Sequence, residues 1–88
     1  MGFVLRGQTG SVWVGARKAC DLGGWTCTSH PGDTSVIAAT VRNVNRFWAK
    51  QPATQIRLTV GRGEWRWRVS AVAADAGTYR VSGPPEER

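Results

Sequence analysis

Residues 55–70 read QIRLTVGRGEWRWRVS, and this stretch decides the fold. Apolar and polar side chains alternate on both sides of a glycine-containing break, which is the period-two pattern of two β-strands that bury one face. Either two-residue loop within residues 61–63 places Leu58 on the same face as Trp65, whereas a three-residue loop sets Leu58 opposite Arg66. We therefore predict a β-hairpin whose tryptophans face the core.

Residues 71–83 are predicted to add a third strand to this hairpin. A three-residue loop at Asp75-Ala76-Gly77, with glycine in the left-handed position, pairs Ala73 with Tyr79. The C-terminal half then forms a three-stranded antiparallel meander. The two prolines after Gly83 cannot donate ladder hydrogen bonds, so we expect one domain over residues 1–83 and a short Pro/Glu tail over residues 84–88.

Upstream of the hairpin, the spacing of apolar residues predicts an amphipathic helix over about 34–50. Ile37, Val41, Val44 and Trp48 form its apolar stripe. Asp33 is in position to cap the N-terminus, and Pro52 follows the last turn. The β-branched residues lower helix propensity, so a strand over Val36–Val44 stays as the alternative.

The first 30 residues predict short β-strands joined by turns. Ser11-Val12-Trp13-Val14 has strand composition, and Gly23-Gly24 is interpreted as a hairpin loop that sets Cys20 opposite Cys27. Together these elements predict a small α+β domain in which N-terminal short β-strands precede one amphipathic helix. That helix packs on the tryptophan face of the C-terminal three-stranded antiparallel meander.

Composition limits the class of protein. The chain has 88 residues, enough for one domain, and its net charge is +6. No apolar run approaches the roughly 20 residues that a membrane helix needs, and no signal peptide is visible. We expect a cytoplasmic protein or one incorporated in a virion, without a membrane partner. Ten of the twelve cations are arginine, which reflects either function or the base composition of the genome.

Strand parity places four arginines on the sheet face opposite the tryptophans. They are Arg57, Arg66, Arg68 and Arg80. Like charges facing each other across strands are destabilising, so a compensating anion is expected. Glu64 together with the acidic tail, an acidic protein partner and nucleic-acid phosphate are the three candidates. A solvated sheet face with no partner is the alternative.

Two further tryptophans are candidate interface anchors. Trp13 faces outward if its valine neighbours face the core, and Trp25 flanks the predicted glycine turn. Packing of Trp13 against Phe3 or Leu5 in a second small core is the alternative.

The sequence offers little catalytic chemistry. His30 is the single histidine, and no close carboxylate pair, phosphate-binding loop or dinucleotide-binding glycine motif is present. Cys20 and Cys27 are expected as free thiols, with a disulfide or a zinc site that adds His30 and Asp33 as alternatives. We therefore predict no enzyme, no cofactor, no bound metal and no small-molecule substrate.

These features are interpreted as a non-enzymatic structural or interaction protein. It would be a small subunit of a larger assembly, such as a phage virion, that contacts protein partners or further copies through the arginine face and exposed tryptophan. The alternative is a small basic nucleic-acid-binding protein that holds phosphates on the same face.

Overall fold

A computed structural model describes residues 2–88 as one curled antiparallel β-sheet that forms a half-barrel. Its strands are β1 (Val4–Gly7), β2 (Gly10–Val14), β3 (Arg17–His30), β4 (Thr34–Arg42), β5 (Pro52–Val60), β6 (Gly63–Ala73), β7 (Thr78–Ser82) and β8 (Glu86–Glu87). The strand order is β7-β4-β3-β2-β5-β6-β8, and β1 pairs with β3. Among residues 2–88, the helical element is the short 3-10 turn Trp48–Lys50.

The predicted helix, and with it the α+β fold class, is wrong. Residues 34–42 form strand β4, which pairs with β3 and β7. Ser35 and Ile37 are buried, whereas Val36 between them is half-buried and Ala38 is exposed, as the period of a strand requires. A spacing of four residues keeps side chains on one face of a helix and also on one face of a strand. The strand alternative over Val36–Val44 was therefore closer to the structure.

The hairpin of β5 and β6 is confirmed. Its turn is Gly61-Arg62, and Leu58 lies opposite Trp65 in the pairing. Ile56 lies opposite Trp67, and both are buried. The two-residue loop thus sets the faces of both strands as the sequence indicates.

The predicted third strand of the meander pairs elsewhere. Strand β7 pairs with β4, and Tyr79 lies opposite Ile37 instead of Ala73. The reason lies in β6, where the pairing with β5 shifts at an irregularity and Ala71 adopts a positive φ of 55°. Beyond this bulge Val72 is half-buried and Ala73 is exposed, so the parity behind the predicted pairing is lost.

Gly23-Gly24 is not a hairpin loop. Both glycines lie within the 14-residue strand β3, where the register with β4 shifts. Cys20 pairs with Val12 of β2, so the predicted opposition of Cys20 and Cys27 is also wrong. Both cysteines are buried free thiols. An irregular register takes the place of a turn because β3 continues as a strand, paired with β4 on one side and with β2 and then β1 on the other.

One hydrophobic core fills the concave side of the sheet. Its largest fully buried side chains are Trp25, Tyr79, Leu22, Ile37, Ile56, Leu58, Val12, Val81, Cys20 and Cys27. At the C-terminal end, β8 adds to β6 opposite Trp65 and Arg66. Within residues 2–88, no helix has the length and apolar character needed to span a membrane.

Candidate interaction surface

The convex face of the sheet carries the arginines that strand parity singles out. Ile56 and Trp67 point into the core, so their neighbours along β5 and β6 point outward. Arg57 lies directly opposite Arg66 in the pairing, and Arg68 lies opposite Gln55. We call Arg57, Arg66, Arg68 and Arg80 the arginine band.

The centre of the arginine band is partly neutralised from within the chain. Arg66 Nε donates a hydrogen bond to Glu64 Oε1, and Arg57 Nε lies 4.0 Å from the same oxygen. Arg57 Nε also donates to Gln55 Oε1 at 2.6 Å. Strand β8 sets Glu86 opposite Arg66 in the pairing. The first of the three candidate anions, Glu64 with the acidic tail, therefore lies beside the central pair.

Trp13 joins the same face. The guanidinium carbon of Arg57 lies 4.1 Å from the centre of the indole ring, a cation–π contact. Trp13 Nε1 donates to Ser11 Oγ at 2.8 Å, which fixes the ring. Burial lowers the pKa of Arg57, and repulsion from Arg66 lowers it further. The contact joins β2 to β5, so alternation within one strand could not reveal it.

Trp25 does not serve as an exposed anchor. Its side chain is 1% exposed, and Nε1 donates to the backbone oxygen of Thr9 at 2.8 Å. Its predicted exposure depended on a turn at Gly23-Gly24. Because β3 continues through those glycines, Trp25 is held in the core beneath Gly7 of β1.

Arg68 and Arg80 are the exposed members of the arginine band. Neither forms an ion pair with the part of the chain that the structure describes. Both line a gap between β6 and β7 of about 430 Å³, which we call the seam. The remaining lining residues are Val69, Ser70, Val72, Val81 and Ser82. The sequence pattern indicated the two arginines but not the gap, because the gap depends on β7 pairing with β4.

A second cleft, of about 290 Å³, opens at the end of the half-barrel. Phe3, Trp65 and Pro85 are among its lining residues, and Phe3 makes an edge-to-face contact with Trp65 at 6.1 Å. The sequence offers no signal for this grouping. Phe3 thus packs on Trp65 and not on Trp13, in contrast to the second small core in which Phe3 was one possible partner of Trp13.

The cysteines are arranged as core residues. Burial raises the pKa of Cys20 to about 11 and also raises the pKa of Cys27. A protonated thiol is a poor nucleophile and a poor metal ligand. Both are buried, whereas His30 and Asp33 are exposed. Among residues 2–88, no three histidine, cysteine or acidic side chains come together as a metal site.

Comparison with protein-family models, with curated proteins and with solved structures finds no match for this chain.

Proposed function

We propose that the protein is a non-enzymatic interaction subunit of a larger assembly, such as a virion. It contacts an acidic surface of a neighbouring protein through Arg68 and Arg80, the two exposed members of the arginine band. One observation carries the proposal: Arg68 and Arg80, from two different strands, are exposed on the seam without a carboxylate partner in the described chain.

The chemistry of the surface supports a protein partner. Arginine forms planar, bidentate contacts with carboxylates, and arginine and tryptophan are enriched among the residues that dominate binding at interfaces. Trp13 is already immobilised by Ser11 and Arg57, so docking on it costs little side-chain entropy. The band thus offers two free cations and one preorganised aromatic.

Nucleic-acid binding is the second candidate, and Trp13 is the observation that favours it. A base-stacking surface needs an aromatic side chain among its cations, and Trp13 supplies one. However, Arg57 covers one face of the indole, and Glu64 already contacts both Arg57 and Arg66. Among the described residues, no aromatic side chain lines the seam beside the two free arginines, and base stacking needs one there, so the acidic protein partner is preferred.

The test compares two polyanions on one double variant. Poly-L-glutamate represents an acidic polypeptide, and a labelled DNA duplex represents nucleic acid. An exposed charge pair is worth up to about 1 kcal/mol, so Arg68→Ala with Arg80→Ala should weaken polyglutamate binding about tenfold. Fluorescence anisotropy over a range of salt concentrations gives both affinities.

A second double variant, Arg6→Ala with Arg46→Ala, is the matched control. Both arginines are also exposed, and their substitution removes the same amount of positive charge. Neither of them lines the seam. An equal loss in both double variants would show non-specific attraction and contradict the proposal. Tighter binding to the duplex than to polyglutamate, with a steeper salt dependence, would establish the nucleic-acid alternative.

A further inference from the structure

Strands β6 and β7 each present a free edge to the seam. Strand β7 pairs with β4 on its other side. Strand β6 pairs with β5, and the C-terminal residues 86–88 cover its outer edge only from Glu64 to Arg66. Among the described residues, the outer edge of β6 beyond Arg66 therefore has no strand partner. Free edges are templates for pairing with another chain, and proteins normally cover or disrupt them.

Both ends of the seam are closed by the chain itself. At one end the Ala76 amide donates to the Ala73 carbonyl at 3.3 Å. At the other end Trp67 Nε1 donates to the Gly83 carbonyl at 3.3 Å. Between these points the bulge at Ala71 interrupts the regular course of β6. The seam is thus a bounded slot beside strand edges that do not pair with each other.

The side chains around the slot alternate as a strand would require. Val69 and Val81 belong to the core side, whereas Arg68 and Arg80 are exposed on the convex side. A strand entering the slot would direct successive side chains to opposite faces. One set would meet the valines, and the other set would meet the arginines.

We propose that an extended segment of a neighbouring protein adds to the seam as a strand, with acidic residues at alternate positions and apolar residues between them. This inference rests on the proposed function and specifies how the partner binds. Strand β7, from Thr78 to Ser82, offers the seam a regular edge of about 13 Å at the rise of a strand, so the segment needs about four or five residues.

The charge pattern argues for a different protein and not a second copy. The six acidic residues of this chain are Asp21, Asp33, Glu64, Asp75, Glu86 and Glu87. No two of them are separated by a single residue, so no strand of this chain carries acidic side chains at alternate positions. None of the described strands offers this pattern, which favours a different protein as the source of the segment.

The experiment uses a short capped peptide that alternates valine with glutamate. Its affinity is measured by calorimetry, and hydrogen exchange of the full-length protein locates the contact. We expect slower exchange of amides within residues 67–73 and 78–82 when the peptide is present. N-methylation of the peptide's valine amides removes strand hydrogen bonds without changing its charge, and should weaken binding about tenfold.

The outcomes separate this inference from the proposed function. If the N-methylated peptide binds equally well, or if protection appears away from the seam, strand addition is overturned. A peptide of the same composition with valines and glutamates in two separate blocks should bind more weakly, and equal affinity would also overturn it. The polyglutamate test depends on charge and not on backbone pairing, so the proposed function can survive either result.

Discussion

At the scale of single residues, Ala71 is the most unusual position in the sheet. Its φ of 55° lies in the left-handed region, which costs a residue with a Cβ about 1–2 kcal/mol. Asp33 and Asn43 also have positive φ, but their residue types tolerate it better. Ala71 stands in the bulge beside the seam, so the strain coincides with the proposed binding edge.

Ala71→Gly is expected to stabilise the protein by about 0.5–1 kcal/mol. Glycine adopts the left-handed region without the Cβ penalty, although its greater freedom in the unfolded chain offsets part of the gain. Ala73→Gly, in the same strand but without a positive φ, should instead lower the free energy of unfolding by about 0.5–1 kcal/mol. Denaturant titrations measure both, and an equal loss in both variants would contradict the argument.

At the scale of elements, β6 places opposite chemistries on its two faces. Trp67 is 3% exposed and packs in the core, whereas Arg68 is exposed at the seam. Trp67 also contacts Trp65 edge to face at 5.9 Å. The stability of the fold should therefore depend on Trp67, and partner binding should depend on Arg68.

Trp67→Ala is expected to lower the free energy of unfolding by about 3–5 kcal/mol, because it leaves a large cavity in the core. Arg68→Ala should change it by less than about 0.5 kcal/mol, as surface substitutions usually do. Chemical denaturation of the two variants checks both values. If Trp67→Ala is tolerated while Arg68→Ala unfolds the protein, the two faces of β6 are reversed. The proposal of binding at the seam would then also fail.

At the scale of the whole molecule, the Ala74 carbonyl links distant parts of the sheet. It accepts hydrogen bonds from Cys20 Sγ of β3 at 3.4 Å and from the Tyr79 hydroxyl of β7 at 2.5 Å. Burial raises the pKa of Cys20 to about 11 and that of Tyr79 to about 12. The folded protein therefore holds both groups protonated well into alkaline conditions.

This linkage predicts loss of stability at high pH. The unfolded thiol loses its proton near its ordinary pKa of 9.0, whereas the folded thiol keeps it to about 11. Stability is thus fully present below pH 9 and falls as the pH rises from 9 towards 11, and the tyrosine extends the fall towards 12. Each pKa unit corresponds to about 1.4 kcal/mol.

Cys20→Ser tests the predicted loss of stability at high pH. A serine hydroxyl does not ionise in this pH range and can still donate a hydrogen bond to the Ala74 carbonyl. The free energy of unfolding, measured by denaturant titration at several pH values, should fall less steeply between pH 9 and 11 in the variant. Identical slopes in the variant and the unaltered protein would exclude Cys20 as a source of the loss.

The sequence by itself determined the β5–β6 hairpin and the outward direction of Arg57, Arg66 and Arg68. Both follow from local rules, since side chains alternate along a strand and a two-residue turn sets the register of its neighbour. The candidate arginine residues were therefore predictable, although their surroundings were not.

Only the tertiary structure decided the identity of β4, the partner of β7 and the stack of Arg57 on Trp13. The four-residue spacing of Ile37 and Val41 suits a helix or a strand equally. Strand β4 lies between β3 and β7, which burial of its apolar face favours. The seam likewise exists because β7 pairs with β4 and leaves β6 open. Such pairings join residues far apart in the chain, and their free energy depends on the whole sheet.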